Sequence, residues 1–500
     1  MPADIAARAP AKAGSARRSH AHPRQAATRG GQRALMYNFR GVYDRDLTHG
    51  VAYAAGLHFG HHYRECTPHA PPVIVVASDH RYSSPSLKHF VTQGLLRAGC
   101  RVKDVGCLPT SLAAYAASRV GDGACVVTAS HNGPEYNGLK FFEGSGAVVK
   151  PEIEDRLLEP VLADSRLVAA EPDLGRGGYE LCDPAEIIQS YVEEAALAAA
   201  PACGIRVAVD GRFGMANLVM PMLLERLGCA RQSIHERLHP YFLDSRGDYV
   251  NPEPTSDNVG SLCRLVREGG FDLGLGFDGD ADRVVVVDDT GAYLPDDLVL
   301  LALAIECGHT SRPRVITVDS SLVVERELRA RGYDVIISPV GDPFVAQRVR
   351  DSGASFGGVP NGHYIFPDFL VYSDGVFSAA MMVRIAAGLK ACGQALSDFT
   401  RGLPNTTICR QRHSFGRPKE EFETNIAPRL REVFSGRCTK LDYLHTDDAV
   451  VAGWADNVKL LVRYNRWDGN FNVQSESLSS PAEAQAGLAQ VLATIARAME

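Results

Sequence analysis

ACVVTASHNGPEYNGLKFF, residues 124–142, sets an apolar run immediately before a polar loop and then returns to an apolar segment. The run Ala124-Cys125-Val126-Val127 reads as a buried strand, which places Ser130 at its carboxyl end, where open α/β sheets present ligands and reactive groups. His131, Asn132 and, ten residues on, Lys140 surround that hydroxyl, while Gly133, Pro134 and Gly138 keep the backbone in turn conformations. A serine in this setting is a candidate phosphoryl carrier. On these residues alone a polar turn whose serine caps a helix is an equal reading.

A second stretch, FDGDADR at 277–283, separates the two. An extended segment puts positions i, i+2 and i+4 on one side, so Asp278, Asp280 and Asp282 can converge on one small hard cation such as Mg²⁺. The small residues Gly279 and Ala281 let the loop curl around it. An EF-hand also begins with alternating aspartates, but it requires Gly next and Glu as its twelfth residue. Arg283 and Asp289 occupy those places, so that reading is rejected and an acidic surface turn is the remaining alternative.

Around these loops the chain repeats itself. VIVVASD (73–79) with Gly99, RVAVD (206–210) with Gly228, and RVITVD (314–319) with Gly332 each write a strand ending in Asp, a helix ending near Gly, and a second strand. Each copy then supplies a later strand that runs into a loop: ACVVTASHN to Ser130, FDLGLGFDGD to the aspartates, ASFGGVPNGH to His363. Alternating elements of this kind form doubly wound α/β layers. The expectation is three related α/β domains at 34–180, 181–295 and 296–404, aiming three loops at one central cleft. A smaller α+β domain at 405–500 follows, with strands in DAVVAGWAD, VKLLVRYN and FNVQSES and a terminal helix from Pro481 to Met499.

Composition bounds the function. Five hundred residues exceed one ordinary core and fit three or four domains. No apolar run reaches the ~20 residues of a membrane helix. A net charge of −7 argues against general nucleic-acid binding, yet leaves room for a small anionic substrate held by local arginines and metal. Twelve cysteines, such as Cys100, Cys107, Cys125 and Cys229, occur without C-x-x-C spacing and read as buried reduced thiols of an intracellular, cytoplasmic protein. Residues 1–33 carry Arg8, Lys12, Arg17, Arg18, Arg24, Arg29 and Arg33 against Asp4. They are expected to form a disordered basic tail, whose bias resembles an organelle transit peptide but lacks the apolar core of a secretory signal.

TASHN with EYNGLKFF, followed about 150 residues later by DGDADR, resembles the active-site serine and metal loops of the α-D-phosphohexomutase superfamily. The resemblance runs from about residue 36 to the end, and weakens over the last hundred residues. It implies a Mg²⁺-dependent phosphosugar mutase whose serine, here Ser130, is phosphorylated in the active form. That serine gives its phosphoryl group to the sugar phosphate and takes back the other phosphate from a bisphosphate intermediate, with sugar bisphosphate as activator. His131, Lys140 and Arg40 match the family's catalytic polar positions; Asp278, Asp280 and Asp282 match its metal ligands. Arg283, Asn361, His363, Arg463 and Arg466 are implied for the substrate.

Two loops depart from the family pattern. The sugar loop, usually G-E-x-S-G-H, reads Gly358-Val359-Pro360-Asn361-Gly362-His363, and the last phosphate loop, usually R-x-S-x-T, reads Arg463-Tyr464-Asn465-Arg466-Trp467. Asp342 stands where a basic residue is common. TASHN-x-x-EYNGLK resembles the phosphomannomutase branch more than the phosphoglucosamine one, which implies mannose 6-phosphate converted to mannose 1-phosphate. The altered loops admit a phosphoglucomutase, a mutase for an unusual sugar or cyclitol phosphate, or a sugar-phosphate-binding paralogue with little catalysis. A phosphatase acting through phosphoserine is disfavoured, because a two-metal site needs further ligands. A monomer or homodimer is expected.

Overall fold

The computed structural model describes residues 39–499 except 68, 166–177, 203, 308–310, 405, 436–437, 439, 446–448, 456 and 466–469. The basic tail expected over 1–33, and Arg466 with Trp467, lie outside the described residues. Among those described, no helix is long and apolar enough to cross a membrane. The described cysteines are free; Cys66 and Cys392 are exposed, against the expectation that all are buried.

The repeat written in the sequence is one sheet topology used three times. In the first domain the central strand Val73–Ser78 lies between the parallel strands Arg101–Cys107 and Gly123–Val127, and Leu139–Glu143 returns antiparallel to the latter. In the second, Arg206–Asp210 lies between Ala230–Ile234 and Leu273–Phe277, with Val284–Val287 returning. In the third, Arg314–Thr317 lies between Val335–Ser338 and Phe356–Val359, with His363–Phe366 returning. The sheets are mixed rather than wholly parallel for one reason. In each domain the third parallel strand doubles back as a hairpin, and that connection is the functional loop: residues 128–138, 278–283 and 360–362.

The buried parallel strands are Val- and Ile-rich because both faces are covered, as parallel sheets require. One apolar cluster runs through all three units, from Leu112 and Tyr115 through Leu223 and Phe277 to Val376 and Met382. Its axis is the helix Gly375–Ala391, whose start is capped by Asp374 accepting from the Phe377 amide. Gly375 fits there because a Cβ would lie 2.6 Å from the Arg283 backbone oxygen. The helix thus docks directly on the acidic loop.

The fourth domain is a five-stranded antiparallel sheet of Thr407–Ser414, Asn470–Ser477, Val458–Asn465, Ala449–Trp454 and Lys440–His445, in that spatial order. Alternation along Val458–Asn465 sorts its side chains. Leu460, Val462 and Tyr464 join Phe422, Leu430 and Val491 in a core beneath the helices, while Leu461 meets Val318 and Leu322 of the third domain.

Candidate active site

Ser130 sits where the strand Gly123–Val127 ends, with a left-handed φ of 53° that a non-glycine residue adopts only under surrounding constraint. The constraint is Arg81, a fully buried guanidinium from the end of the central strand. It pairs with Asp79 at 2.9 Å and donates to the carbonyls of Ser130 (2.7 Å), Asn132 (2.8 Å) and Gly133 (2.6 Å). Thr128 adds a bond from its hydroxyl to Asp79 and accepts from the Ser130 amide at 2.9 Å. The loop is therefore held by its own domain. Its hydroxyl is aimed at the next one: Ser130 Oγ donates to Asp278 Oδ2 at 2.9 Å. This approach needs Gly279, where a Cβ would come within 2.5 Å of the Ser130 carbonyl.

The three aspartates are buried and offer oxygens within 4.8 Å of one another. Asp280 Oδ2 accepts from Thr110 Oγ1 (2.7 Å) and Lys140 Nζ (2.9 Å); Asp282 Oδ2 accepts from Lys140 Nζ (2.6 Å) and Tyr372 OH (2.7 Å). The opposite oxygens, Asp280 Oδ1 and Asp282 Oδ1, are buried and accept no hydrogen bond among the described residues, although His363 Nε2 faces Asp282 Oδ1 at 3.4 Å. An orphaned carboxylate oxygen is costly unless a cation or donor meets it, so the set fits a divalent ion with hard oxygen ligands.

Electrostatics agree. Burial and the neighbouring charges of Asp280 and Asp282 push the Asp278 carboxyl well above its usual range. Burial also disfavours the charge on Asp282, but Lys140, His363 and Arg283 hold that carboxyl well below the usual value. Lys140 is raised despite its burial because it faces both Asp280 and Asp282. It is a fixed cation, able to donate or to stabilise charge rather than to accept a proton.

The remaining groups close around Ser130. His131 Nδ1 lies 3.0 Å from Ser130 Oγ. Desolvation, with Arg283 and Arg40 nearby, brings its pKa well below the ordinary value, so the ring is neutral at pH 7. Arg40 donates to Asn132 Oδ1 at 2.8 Å. From the third domain His363 reaches over the triad: Arg283 Nε donates to its Nε2 at 3.2 Å, and its Nδ1 faces Asn361 Oδ1 (3.0 Å) and Asp342 (3.4 Å). Asp342, which lacks the expected positive charge, thus orients this histidine instead. Val359 packs in the third domain's core with Val315 and Val345 and presents nothing to the cleft.

Ser130, His131, Lys140, Arg40, Arg283, Asn361, His363 and the three aspartates are therefore assembled from three domains. Arg463 is elsewhere, in a cavity of about 350 Å³ on the sheet face of the fourth domain, with Arg410, Arg412, Gln474 and Asp319. Sequence reasoning missed Arg81, Thr110 and Tyr372. Only Arg81 carried a signal, since Asp-x-Arg after the central strand recurs at Asp210 and Arg212, where Arg212 donates to the carbonyls of Asn251 and Asn258.

Family models described as phosphoglucomutase/phosphomannomutase, alpha/beta/alpha domain I, domain II and domain III match residues 35–166, 188–291 and 295–406. A probable phosphoglucosamine mutase of Methanopyrus kandleri is 33% identical over 401 residues, 79% of this chain and 84% of the relative. A phosphoglucomutase/phosphomannomutase of Thermococcus kodakarensis is 32% identical over 379 residues, 74% and 79% of the two chains. The crystal structure of a phosphoglucomutase/phosphomannomutase family protein from Burkholderia thailandensis superposes with a TM-score of 0.77 at 25% identity, covering 93% of this chain and 96% of that one.

Proposed function

The chain belongs to the phosphoglucomutase/phosphomannomutase family of phosphohexomutases, which are intramolecular phosphotransferases, and on that premise we propose that it moves a phosphoryl group between the 6- and 1-positions of a hexose through a phosphoserine at Ser130. The observation that carries this reading is the 2.9 Å contact of Ser130 Oγ with Asp278, beside two orphaned aspartate oxygens. Phosphoryl transfer gains most from an in-line acceptor and from positive charge over the oxygens.

Asp278, Asp280 and Asp282 would hold Mg²⁺, which supplies Lewis-acid stabilisation of the phosphoryl oxygens. Lys140 and Arg40 contribute fixed positive charge around the same loop. As the phosphoryl group leaves Ser130 for a sugar hydroxyl, the P–Oγ bond breaks, a P–O bond to the sugar forms, the sugar hydroxyl gives up its proton and Oγ gains one, so no net proton is consumed. The reverse transfer takes the proton from Oγ, which a neutral histidine can accept and, once protonated, return. His131, neutral and 3.0 Å from Oγ, is the group placed for that exchange. Asn361, His363 and Arg283 meet the sugar. Arg463, with Arg410 and Arg412 beside it, receives the distal phosphate, and sugar bisphosphate serves as intermediate and activator.

Among hexoses, mannose 6-phosphate is our first reading, supported by the resemblance of the TASHNGPEYNGLK segment to the phosphomannomutase branch. Glucosamine 6-phosphate is the second reading, favoured by the name of the Methanopyrus relative. Turnover of mannose, glucose and glucosamine 6-phosphates with a trace of the matching bisphosphate tests both. Active protein should carry one phosphate by intact mass, and Ser130→Ala should lose that phosphate and all turnover while still binding substrate. Near-wild-type turnover by Ser130→Ala would refute the phosphoserine, and inactivity on every hexose phosphate would refute the substrate class.

A further inference from the structure

Each outer aspartate divides its oxygens, one bound by protein donors and one left open. The donors on Asp280 Oδ2, namely Thr110, Thr128 and Lys140, all come from the first domain, at the start of the helix Thr110–Val120, on the nucleophile loop and on the strand Leu139–Glu143. Asp282 Oδ2 is different. It accepts from Lys140 at 2.6 Å and also from the Tyr372 hydroxyl at 2.7 Å, and Tyr372 lies on the strand Leu370–Ser373 of the third domain. The Tyr372 ring stands edge-on against Phe142, two residues along from Lys140, with centroids 4.9 Å apart. Its hydroxyl also lies 3.3 Å from Lys140 Nζ. One buried side chain therefore touches the first domain through its ring and the second through its hydroxyl, while belonging to the third.

Rotation of the Asp282 carboxylate would exchange its two oxygens. With Oδ2 held by two donors, Oδ1 is the oxygen left without a hydrogen bond, as Oδ1 is on Asp280, with His363 Nε2 3.4 Å from the Asp282 atom. We propose that Tyr372 is a positioning residue for the metal site, its hydroxyl locking the Asp282 carboxylate so that metal affinity depends on the third domain being docked against the first two. The inference rests on the metal reading of the triad. Groups that hydrogen-bond a ligating carboxylate typically change metal affinity ~10- to 100-fold when removed.

The test uses the full chain and Mn²⁺ alone, read by electron paramagnetic resonance of free Mn²⁺ and by calorimetry. Tyr372→Phe keeps the ring on Phe142 and removes only the hydroxyl, and is expected to weaken Mn²⁺ binding about tenfold. Tyr333→Phe is the control, since it removes a hydroxyl bonded to the Ile305 carbonyl in the same domain, away from the triad. It should bind Mn²⁺ as the wild type does. Equal affinity of Tyr372→Phe and wild type overturns the proposal, as does an equal loss in Tyr333→Phe, which would mark general loosening. A wild type that binds no Mn²⁺ overturns the metal reading itself, a separate outcome. Should Tyr372→Phe fold poorly, Phe142→Leu, which loosens the ring while keeping the hydroxyl, must weaken Mn²⁺ binding in the same direction or the proposal fails.

Discussion

The first two α/β domains and the third end their central strands differently. In the first, Asp79-His80-Arg81 places a buried arginine beneath the nucleophile loop; in the second, Asp210-Gly211-Arg212 does the same beneath residues 251–258. The third reads Asp319-Ser320-Ser321 and has no arginine at that point. Its strand end is satisfied from the fourth domain. Lys459 donates to the Ser320 carbonyl, and the buried Glu476 carboxylate accepts from the Ser321 hydroxyl, the Leu322 amide at 3.0 Å and Thr406 at 2.9 Å. The nucleophile loop is thus braced from within its own domain, as a group that must hold a reacting geometry should be, and Arg212 braces the 251–258 segment of the second domain in the same way. The third domain is braced by its neighbour, at the joint beside the arginine-lined cavity.

Removing the internal brace should have the largest effect. Arg81→Ala leaves the Asp79 carboxylate buried without its cation and strips donors from four loop carbonyls, those of Ser130, Asn132, Gly133 and Tyr136. The cost is expected to be ~3–5 kcal/mol of stability. Phosphate on Ser130 should fall below detection by intact mass even where the variant remains folded. A phosphorylated, active Arg81→Ala would show that the strain at Ser130 is held by something else.

Glu476→Gln probes the opposite arrangement. It keeps an acceptor for the Leu322 amide but removes the charge facing the buried Lys459, for which Glu476 is the foremost charge opposing the effect of burial. A loss of ~1–2 kcal/mol is expected at the joint. Because, among the described residues, the Ser130 and aspartate loops make no hydrogen bond to Glu476, Ser130 phosphorylation should persist while KM for the phosphosugar rises about tenfold, the equivalent of ~1.4 kcal/mol. If phosphorylation were lost instead, the distinction between internal and borrowed bracing would collapse.

The same contrast explains what was legible in the sequence. Ser130 and the aspartate loop declare themselves because their chemistry is carried by residues a few positions apart, on a loop between apolar strands. The threefold repeat is legible for a related reason, since each copy ends its first strand in Asp and its helix near Gly. Arg81 shows in the sequence only as the repeated Asp-x-Arg; its role stays hidden because it acts on carbonyls some fifty residues away, and a backbone carbonyl has no residue identity. Tyr372 reads as an ordinary strand aromatic until the fold brings Asp282 to its hydroxyl. Arg410 and Arg412 lie at alternate positions of the strand Thr407–Ser414, and only sheet register places them with Arg463. Asp342 was read for the positive charge it lacks, whereas its position makes it a partner of His363.

The smallest effect expected concerns Asp297, on the third-domain side of the joint. Its carboxyl accepts from the Ser321 amide at 2.6 Å and lies 3.4 Å from Arg410. Burial raises its pKa from 3.8 to about 6; Arg410 opposes that shift, while the nearby Glu476 and Asp319 charges add to it. A raised folded-state value means that the folded protein holds this proton more tightly than the unfolded chain. The contribution of Asp297 to stability therefore declines as pH rises from about 4 to about 6 and stays at its lowest above that. Asp297→Asn removes the charge but also weakens the contact with Arg410, so the net gain above pH 6 should be only ~1 kcal/mol. Thermal melts from pH 4 to 8 should show the variant ahead of wild type at the alkaline end, with the difference vanishing near pH 4. A variant that instead melted below wild type at the alkaline end, with the gap closing as pH falls, would mean that Asp297 stabilises the joint as an ion paired with Arg410, and that the fourth domain is held by attraction across the joint rather than by the Glu476 and Lys459 contacts alone.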